Sequence, residues 1–181
     1  FGTMNRVHNR VTWLRFQGGM DYIATLPVHR YAFVLAMVVA FLLLSLPSLL
    51  VTMGLGPLVL NVPLRLHPLL VVVIPCCTVP LAGVGAVLGM TGRTQTESHN
   101  LVFLLTLLMT GLGPVVAPPD RLPAFMVWLG YLSPATYAAS ALRQVMIGPL
   151  TGRLILDLAV LSSVALVSLW LVGRRMNWRQ E

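Results

Sequence analysis

The chain alternates long apolar runs with short polar segments that carry arginine. A bilayer core about 30 Å thick needs about 20 apolar residues in a helix. Four runs reach or approach that length before a charge or a proline-containing pair interrupts them. The pattern predicts an all-α membrane protein with four transmembrane helices, over residues 31–56, 68–90, 100–116 and 154–172.

The stretch between the last two predicted spans, residues 120–152, is too apolar for a simple loop and too broken for a span. Pro123 and Pro134 can each begin a short helix, and Gly148 can end the second one. Two short apolar helices joined by a turn indicate a re-entrant hairpin that dips partway into the membrane from the outer side. Because non-helical backbone is tolerated at that depth only under cover of protein or a cavity, we expect the hairpin to pack against the spans.

Residues 1–30 precede the first predicted span and are partly amphipathic. At helical spacing Val7 and Val11 share one face, and Arg6 and Arg10 share another. Such a helix is expected to lie on the membrane surface. A solvated basic arm is the alternative interpretation of the same segment.

The distribution of the arginines predicts the orientation of the four spans. Eight of them lie on the side of the two chain ends and four on the other side. By the positive-inside rule the eight-arginine side is cytoplasmic. We therefore predict a cytoplasmic segment over residues 1–30 and a transmembrane domain over residues 31–181, with both ends of this sequence in the cytoplasm.

The composition supports lipid as the solvent. Of the 181 residues 57% are hydrophobic and only 9% are charged, and the mean hydropathy is +0.85. A soluble domain carries about a quarter charged residues. The net charge is +7 and lysine is absent, which excludes a phosphate-binding loop with its lysine and a Schiff-base lysine. The arginines flank apolar runs, so membrane topology explains them and no nucleic-acid partner is expected.

The predicted spans lack charged groups at mid-depth. A charge there costs about 3 kcal/mol or more and usually serves a function, so its absence argues against proton-coupled transport and intramembrane metalloproteases. Asp157 lies one turn into the last span, where it can pair with Arg153 or anchor the helix at the interface. Cys76 and Cys77 are adjacent, which favours packing over a disulfide or a metal site.

Two further features bear on packing. Gly85 and Gly89 form a small-xxx-small pair that permits close approach of a second helix. Arg143 ends an apolar stretch, and it can either extend its charge toward the interface or pair the hairpin with a span.

Two segments resemble the signatures of ABC type-2 exporter permeases. Residues 18–27, GGMDYIATLP, resemble the cytoplasmic signature that precedes a membrane span in that family. Residues 122–148 resemble the second signature, which lies between the last two spans. Gln17 and Gly19 depart from the family pattern, which carries an acidic residue and a threonine there.

The resemblance implies the last four spans of a six-span permease subunit, with two permease copies or homologues forming the pathway. A separate cytoplasmic subunit would bind and hydrolyse ATP, so the chain itself would be no enzyme and hold no cofactor. The implied location is the inner (plasma) membrane of a prokaryote, in contact with membrane lipid. The residues implied in coupling to the ATPase are Gly18, Asp21, Tyr22, Leu26 and Pro27. Those implied in an outer re-entrant gate are Pro123, Ser133, Pro134, Tyr137 and Arg143.

Two other classes of function remain open at this stage. A non-transporting membrane scaffold or assembly factor would need no ATPase. A membrane-embedded enzyme would need polar catalytic groups at depth, which the sequence does not offer. The leading hypothesis is an ATP-driven exporter permease.

Overall fold

The computed structural model describes residues 1–19, 30–60, 67–111, 115, 123–148 and 151–175. Over these ranges the chain forms helices and no strands, which confirms the predicted all-α class. The seven helices within them are α1 (Gly2–Phe16), α2 (Arg30–Leu60), α3 (Leu70–Thr91), α4 (Gln95–Gly111), α5 (Ala124–Gly130), α6 (Pro134–Met146) and α7 (Arg153–Arg175).

Two of the described helices are long and apolar enough to cross a membrane, namely Leu70–Thr91 in α3 and Arg153–Arg174 in α7. They coincide with the second and fourth predicted spans. α2 extends over 31 residues and contains the apolar segment Leu35–Leu44. α4 has 17 residues and begins at Gln95, before the predicted start of the third span. The number of crossings stays a prediction.

α3 is the central helix of the described part of the chain. It contacts α1, α7, α6, α4 and α2. Toward its C-terminal end, Ala82 and Ala86 form a core with Val7 and Val11 of α1 and Val38 of α2. Small residues on α3 let these neighbours approach closely, since the side chains of α1 and α2 fill the space that the alanines leave.

A second core surrounds the N-terminal end of α3. Val73 and Cys77 pack there against Ala141 and Val145 of α6 and against Leu161 of α7. Both cysteines are free, and Cys77 is buried in this core, as the packing interpretation of the pair predicts. The hairpin helix α6 is thereby attached to the central helix and to the last helix together.

α1 has the amphipathic character that the sequence predicts, but its apolar face is covered by protein. Val7 and Val11 are buried, whereas Arg6 and Arg10 are exposed. We expected this face to rest on the membrane surface, and it packs along α3 instead. The periodicity specifies a face that must be covered and carries no information about whether lipid or another helix covers it.

Candidate functional site

Two short helices and the turn between them form a hairpin over residues 123–148, which we call the outer hairpin after its predicted side. α5 begins after Pro123, and α6 begins with Pro134 after the N-cap residue Ser133. Proline suits a helix start because the first N–H groups have no partner within the helix. Both helix starts were predicted from the sequence and are confirmed.

The turn of the outer hairpin contacts α5 and α6 within the hairpin and also the start of α7. The hydroxyl of Tyr137 on α6 donates a 2.8 Å hydrogen bond to the carbonyl oxygen of Tyr131, and the N–H of Ser133 donates to the carbonyl of Gly130 at 3.0 Å. The guanidinium of Arg153, at the start of α7, lies 5.9 Å from the centre of the Tyr131 ring. Arg153 thus contacts the turn of the hairpin and does not form the ion pair with Asp157 that its spacing allowed.

The inner face of α6 consists of small and β-branched residues and faces the protein. It packs against α3 and α7. Small side chains here bring the α6 backbone close to its neighbours, and the Sγ of Cys77 on α3 lies 3.8 Å from the carbonyl oxygen of Ala138. The buried residues of α6 are Ala135, Thr136, Ala138, Ala141 and Val145.

A polar cluster joins the end of the outer hairpin to α7. The Gln144 side-chain amide donates to Oδ2 of Asp157 at 3.1 Å and to the hydroxyl of Ser140 at 3.3 Å. The hydroxyl of Thr151 donates to the Gln144 amide oxygen at 2.6 Å. Asp157 is completely buried, so it is not an exposed interfacial anchor. Gln144 connects the hairpin with the last helix through its own side chain.

Three buried side-chain oxygens around the outer hairpin have no hydrogen-bond partner within the described residues: Ser133 Oγ, Thr136 Oγ1 and Asp157 Oδ1. Leaving such a group buried and unpaired costs about 1–3 kcal/mol. All three lie on or beside α6. The contact between the hairpin and its neighbours is therefore held by packing and by the hydrogen bonds of Gln144, and it also contains these three unpaired groups.

Arg143 lies on α6, one residue before Gln144, and is half-buried. Its carbonyl oxygen accepts hydrogen bonds from the N–H groups of Ile147 and Gly148, at 3.0 and 3.1 Å, which closes the C-terminal end of the helix. The break at Gly148 that the sequence predicts is confirmed by the end of α6 at Met146.

At the other end of the bundle, α1 ends just before the predicted ATPase-coupling residues. Gly18 has a backbone φ of 73°, in the left-handed region that glycine adopts without strain. This conformation ends α1 and turns the chain into the segment that follows. Asp21, Tyr22, Leu26 and Pro27 lie outside the described residues.

A buried polar junction holds α1 to the start of α4. Nε2 of His8 lies 3.0 Å from the hydroxyl oxygen of Ser98, and the Thr12 hydroxyl oxygen lies 3.3 Å from the same atom. All three side chains are completely buried. The ring of His99 meets that of His8 edge to face, with the centroids 5.4 Å apart. We call His8, Thr12 and Ser98 the α1–α4 junction.

Arg15 adds a second link from α1, to the end of α3. Its Nη1 donates to the carbonyl oxygens of Met90 and Gly92, at 2.7 and 2.8 Å. A cation beside the last carbonyls of a helix is favoured both by the hydrogen bonds and by the helix dipole. The last turn of α1, which leads into the predicted coupling segment, is thus fixed to the turn between α3 and α4.

The pair Gly85 and Gly89 explains how α1 comes so near to α3. A Cβ at Gly85 would collide with the carbonyl oxygen of Met4, and one at Gly89 would lie 3.0 Å from the carbonyl oxygen of His8. The prediction that this pair permits close helix approach is confirmed. The order of the contacts also shows that α1 and α3 run in the same direction.

The contacts at these sites are apolar packing and hydrogen bonds. In the ranges that the structure describes, no group of three or more His, Cys, Asp or Glu side chains is placed to hold a metal ion. They do contain a set of links between helices at the two ends of the bundle.

A sequence profile of the ABC-2 type transporter family matches residues 1–147. The chain belongs to the ABC-2 type transporter family. Neither a curated protein nor a solved structure gave a significant match. The resemblance drawn from the two sequence signatures is therefore confirmed at the level of the family.

Membership in the ABC-2 family has direct consequences. The chain is an integral membrane protein and a permease component of an ABC transporter. The matched range includes both the predicted coupling segment and nearly the whole outer hairpin. Residues 18–27 and 123–147 are therefore part of the family's membrane domain.

The side chains that make the links in this ABC-2 permease could not be identified from the sequence. Gln144 and Ser98 were not selected, because an isolated amide or hydroxyl in a sequence does not reveal its partner. One signal was available for Gln144: a lone carboxylate in an apolar helix, Asp157, requires a polar partner from a neighbouring element. No comparable signal pointed to the contact between His8 and Ser98.

Proposed function

We propose that this chain forms the substrate pathway of an ABC exporter and is driven by ATP hydrolysis on a separate cytoplasmic subunit. The family membership supports the transport role. These 181 residues contain no lysine and therefore no phosphate-binding loop of the usual kind, and in this proposal the ATP site belongs to a partner. In this proposal the chain works with a second permease copy or homologue in a prokaryotic inner membrane.

The observation that carries the proposal is the fixed end of α1. The coupling segment proposed for residues 18–27 follows directly on α1, which is held to α3 at Gly85 and Gly89 and by the hydrogen bonds of Arg15. Movement imposed on that segment by an ATPase would pull on a helix that packs along the central span. A two-state arrangement of the bundle could then be biased by the nucleotide state of the partner.

The outer hairpin supplies the second part of the proposed mechanism. α6 contacts α3 and α7 together, so a shift of α3 against α7 would displace it. We propose that this displacement opens and closes the outer end of the pathway. In this role Tyr137 fixes the turn of the hairpin, and Pro123, Ser133 and Pro134 define where its helices begin. Arg143 closes its C-terminal end.

The first test is affinity purification of the full-length protein from native membranes. We expect an ATP-binding subunit in roughly equal amount, and we expect Asp21→Ala and Pro27→Ala to lower its recovery. Thr96→Ala is the matched control, since Thr96 is exposed in the first turn of α4, on the same predicted side, and belongs to no proposed contact. A preparation that retains other membrane complexes but contains no ATPase would favour the scaffold alternative.

The second test separates coupling from assembly. Where the Asp21 or Pro27 variant still assembles, we expect basal ATP hydrolysis to persist while its stimulation by substrate and the transport itself are lost. Substrate-stimulated hydrolysis at the unmodified level in both variants would contradict the proposed coupling role.

A further inference from the structure

The exposed side of α1 and the neighbouring α2 form an open groove. It has a volume of about 540 Å³ and is lined by Arg6, Asn9, Arg10, Trp13 and Phe41. Four of these residues come from α1 and one from α2. The groove lies on the face of α1 opposite the packing against α3, and neither the family assignment nor the proposed coupling mechanism uses it.

Within the part of the chain that the structure describes, the groove concentrates positive charge without a counter-charge. Arg6 and Arg10 are one helical turn apart, so both guanidinium groups can reach the same space. Within the described residues neither forms an ion pair. The two described carboxylates are engaged elsewhere: Glu97 accepts the N–H of Arg93 at 2.9 Å, and Asp157 is bonded to Gln144. An anion placed in the groove would meet two guanidinium groups, and no carboxylate among the described residues would compete with it for them.

One of the two arginines is already oriented. The guanidinium of Arg10 lies 4.9 Å from the centre of the Trp13 ring. Stacking on an aromatic ring restrains the guanidinium while leaving its N–H groups free to bind an anion. Asn9 is exposed beside it and can donate a further hydrogen bond from its side-chain amide.

The other wall of the groove is apolar. Phe41 of α2 lines it and packs against the core that contains Val38. A ligand in the groove would therefore contact charge at one end and hydrocarbon at the other. A soluble anion would make no contact with the apolar wall, whereas the acyl chains of a phospholipid would pack against it.

The groove also lies at the right depth for a lipid headgroup. Arg10 is between His8, which packs at Gly89, and Arg15, which bonds to the last carbonyls of α3. The groove is therefore level with the end of α3 that the arginine distribution assigns to the cytoplasmic side. Tryptophan and arginine concentrate at that level of a membrane, and basic pockets between helices on this side bind anionic headgroups.

We propose that the groove between α1 and α2 binds the phosphate headgroup of an anionic membrane phospholipid. Arg6 and Arg10 hold the phosphate, and Asn9 donates to the headgroup. The ring of Trp13 stacks on Arg10 and orients it, while Phe41 contacts the acyl chains. The bound lipid would fill the space beside α1, the helix from which the proposed coupling segment continues.

The test uses the full-length protein, purified and stripped of lipid in detergent. Native mass spectrometry would measure the affinity for phosphatidylglycerol and for phosphatidylcholine with the same acyl chains. We expect phosphatidylglycerol to bind more tightly, and R6Q/R10Q to weaken it about 25-fold, which corresponds to about fivefold per arginine near a membrane surface. The double variant should lower the affinity for phosphatidylcholine less, because the choline cation already offsets the charge of its phosphate.

The matched control is R93Q/R174Q, which removes two exposed arginines from the same predicted side. The guanidinium of Arg174 also stacks on a tryptophan, at 4.1 Å from the centre of the Trp170 ring. The control therefore removes the same kind of side chains at a position outside the groove. We expect the control to keep the phosphatidylglycerol affinity within about twofold of that of the unmodified protein. Isolated charges on an exposed surface contribute little to an interaction.

Four results would overturn the proposal. Equal affinity for the two lipids would show that the groove does not select the anionic headgroup. Equal losses in R6Q/R10Q and R93Q/R174Q would show general attraction to charge. Displacement of bound phosphatidylglycerol by glycerol phosphate at matching concentration would show a site for a soluble phosphate. A change of oligomeric state in R6Q/R10Q with unchanged lipid binding would show that the groove is an interface between copies of this chain.

Discussion

The side-chain amide of Gln144 donates a 3.1 Å hydrogen bond to Oδ2 of Asp157, whose side chain is completely buried. Gln144 belongs to the outer hairpin and Asp157 to the last helix, so this bond connects two elements that the proposed mechanism moves relative to each other. Asp157 is the only acidic residue within the described part of α7. Its burial makes the contact sensitive to any change in its partner.

Replacing Gln144 with Met is expected to lower the free energy of unfolding by about 1–3 kcal/mol. Methionine keeps the approximate size of the side chain but removes the donor, which leaves a buried acceptor unpaired. Thermal unfolding of the purified protein in detergent would measure the change. Ser162→Ala is the control, because that serine is exposed and its hydroxyl bonds only within its own helix, to Leu158. Equal melting temperatures for Gln144→Met and the control would contradict the assigned role.

Gly85→Ala is expected to destabilise the protein by about 1–3 kcal/mol, as overpacking of a close contact does. The added methyl group would collide with the carbonyl oxygen of Met4, which belongs to a backbone and cannot rotate away. Gly54→Ala in α2 is the matched control, since a Cβ there meets open space. The measurement is again thermal unfolding, with both variants in the same detergent. A Gly85 variant as stable as the Gly54 variant would show that α1 is not held in place here.

The contact between His8 and Ser98 is expected to give a coupling free energy of about 0.5–1.5 kcal/mol in a double-mutant cycle. The two side chains are completely buried and their polar atoms are 3.0 Å apart, so each alanine variant removes the same bond. His8→Ala combined with Thr106→Ala is the control cycle, because the Thr106 hydroxyl bonds to Val102 in its own helix. Coupling as large in the control cycle would mean that the effect comes from general loosening of α4.

The predicted orientation can be tested with single cysteines in a protein whose Cys76 and Cys77 are replaced by alanine. Leu132, in the turn of the outer hairpin, is 87% exposed, and Thr94, in the turn after α3, is exposed as well. We expect a thiol reagent that cannot cross membranes to label Leu132→Cys in intact cells, and Thr94→Cys only after permeabilisation. The reverse pattern would invert the topology and place the α1–α2 groove on the outer side.

Much of the local structure could be read from the sequence. The helix starts at Pro123 and Pro134, the break at Gly148 and the amphipathic face of α1 follow from rules that act within a few residues. The family could be recognised for a related reason, since its signatures are short segments with fixed spacing around apolar runs. The coupling residues from Asp21 to Pro27 remain predictions, because they lie outside the described residues.

What the sequence by itself determined, then, is the all-α class, the preference for a lipid solvent, the hairpin and the family, because helix periodicity, capping and hydropathy are properties of neighbouring residues. Only the tertiary structure decided that the apolar face of α1 is covered by α3, that Gln144 meets Asp157, and that Ser98 meets His8. Those pairings join residues far apart in the chain. The sequence shows that an apolar face or a buried polar side chain requires a partner. Which partner it contacts depends on the packing of whole helices.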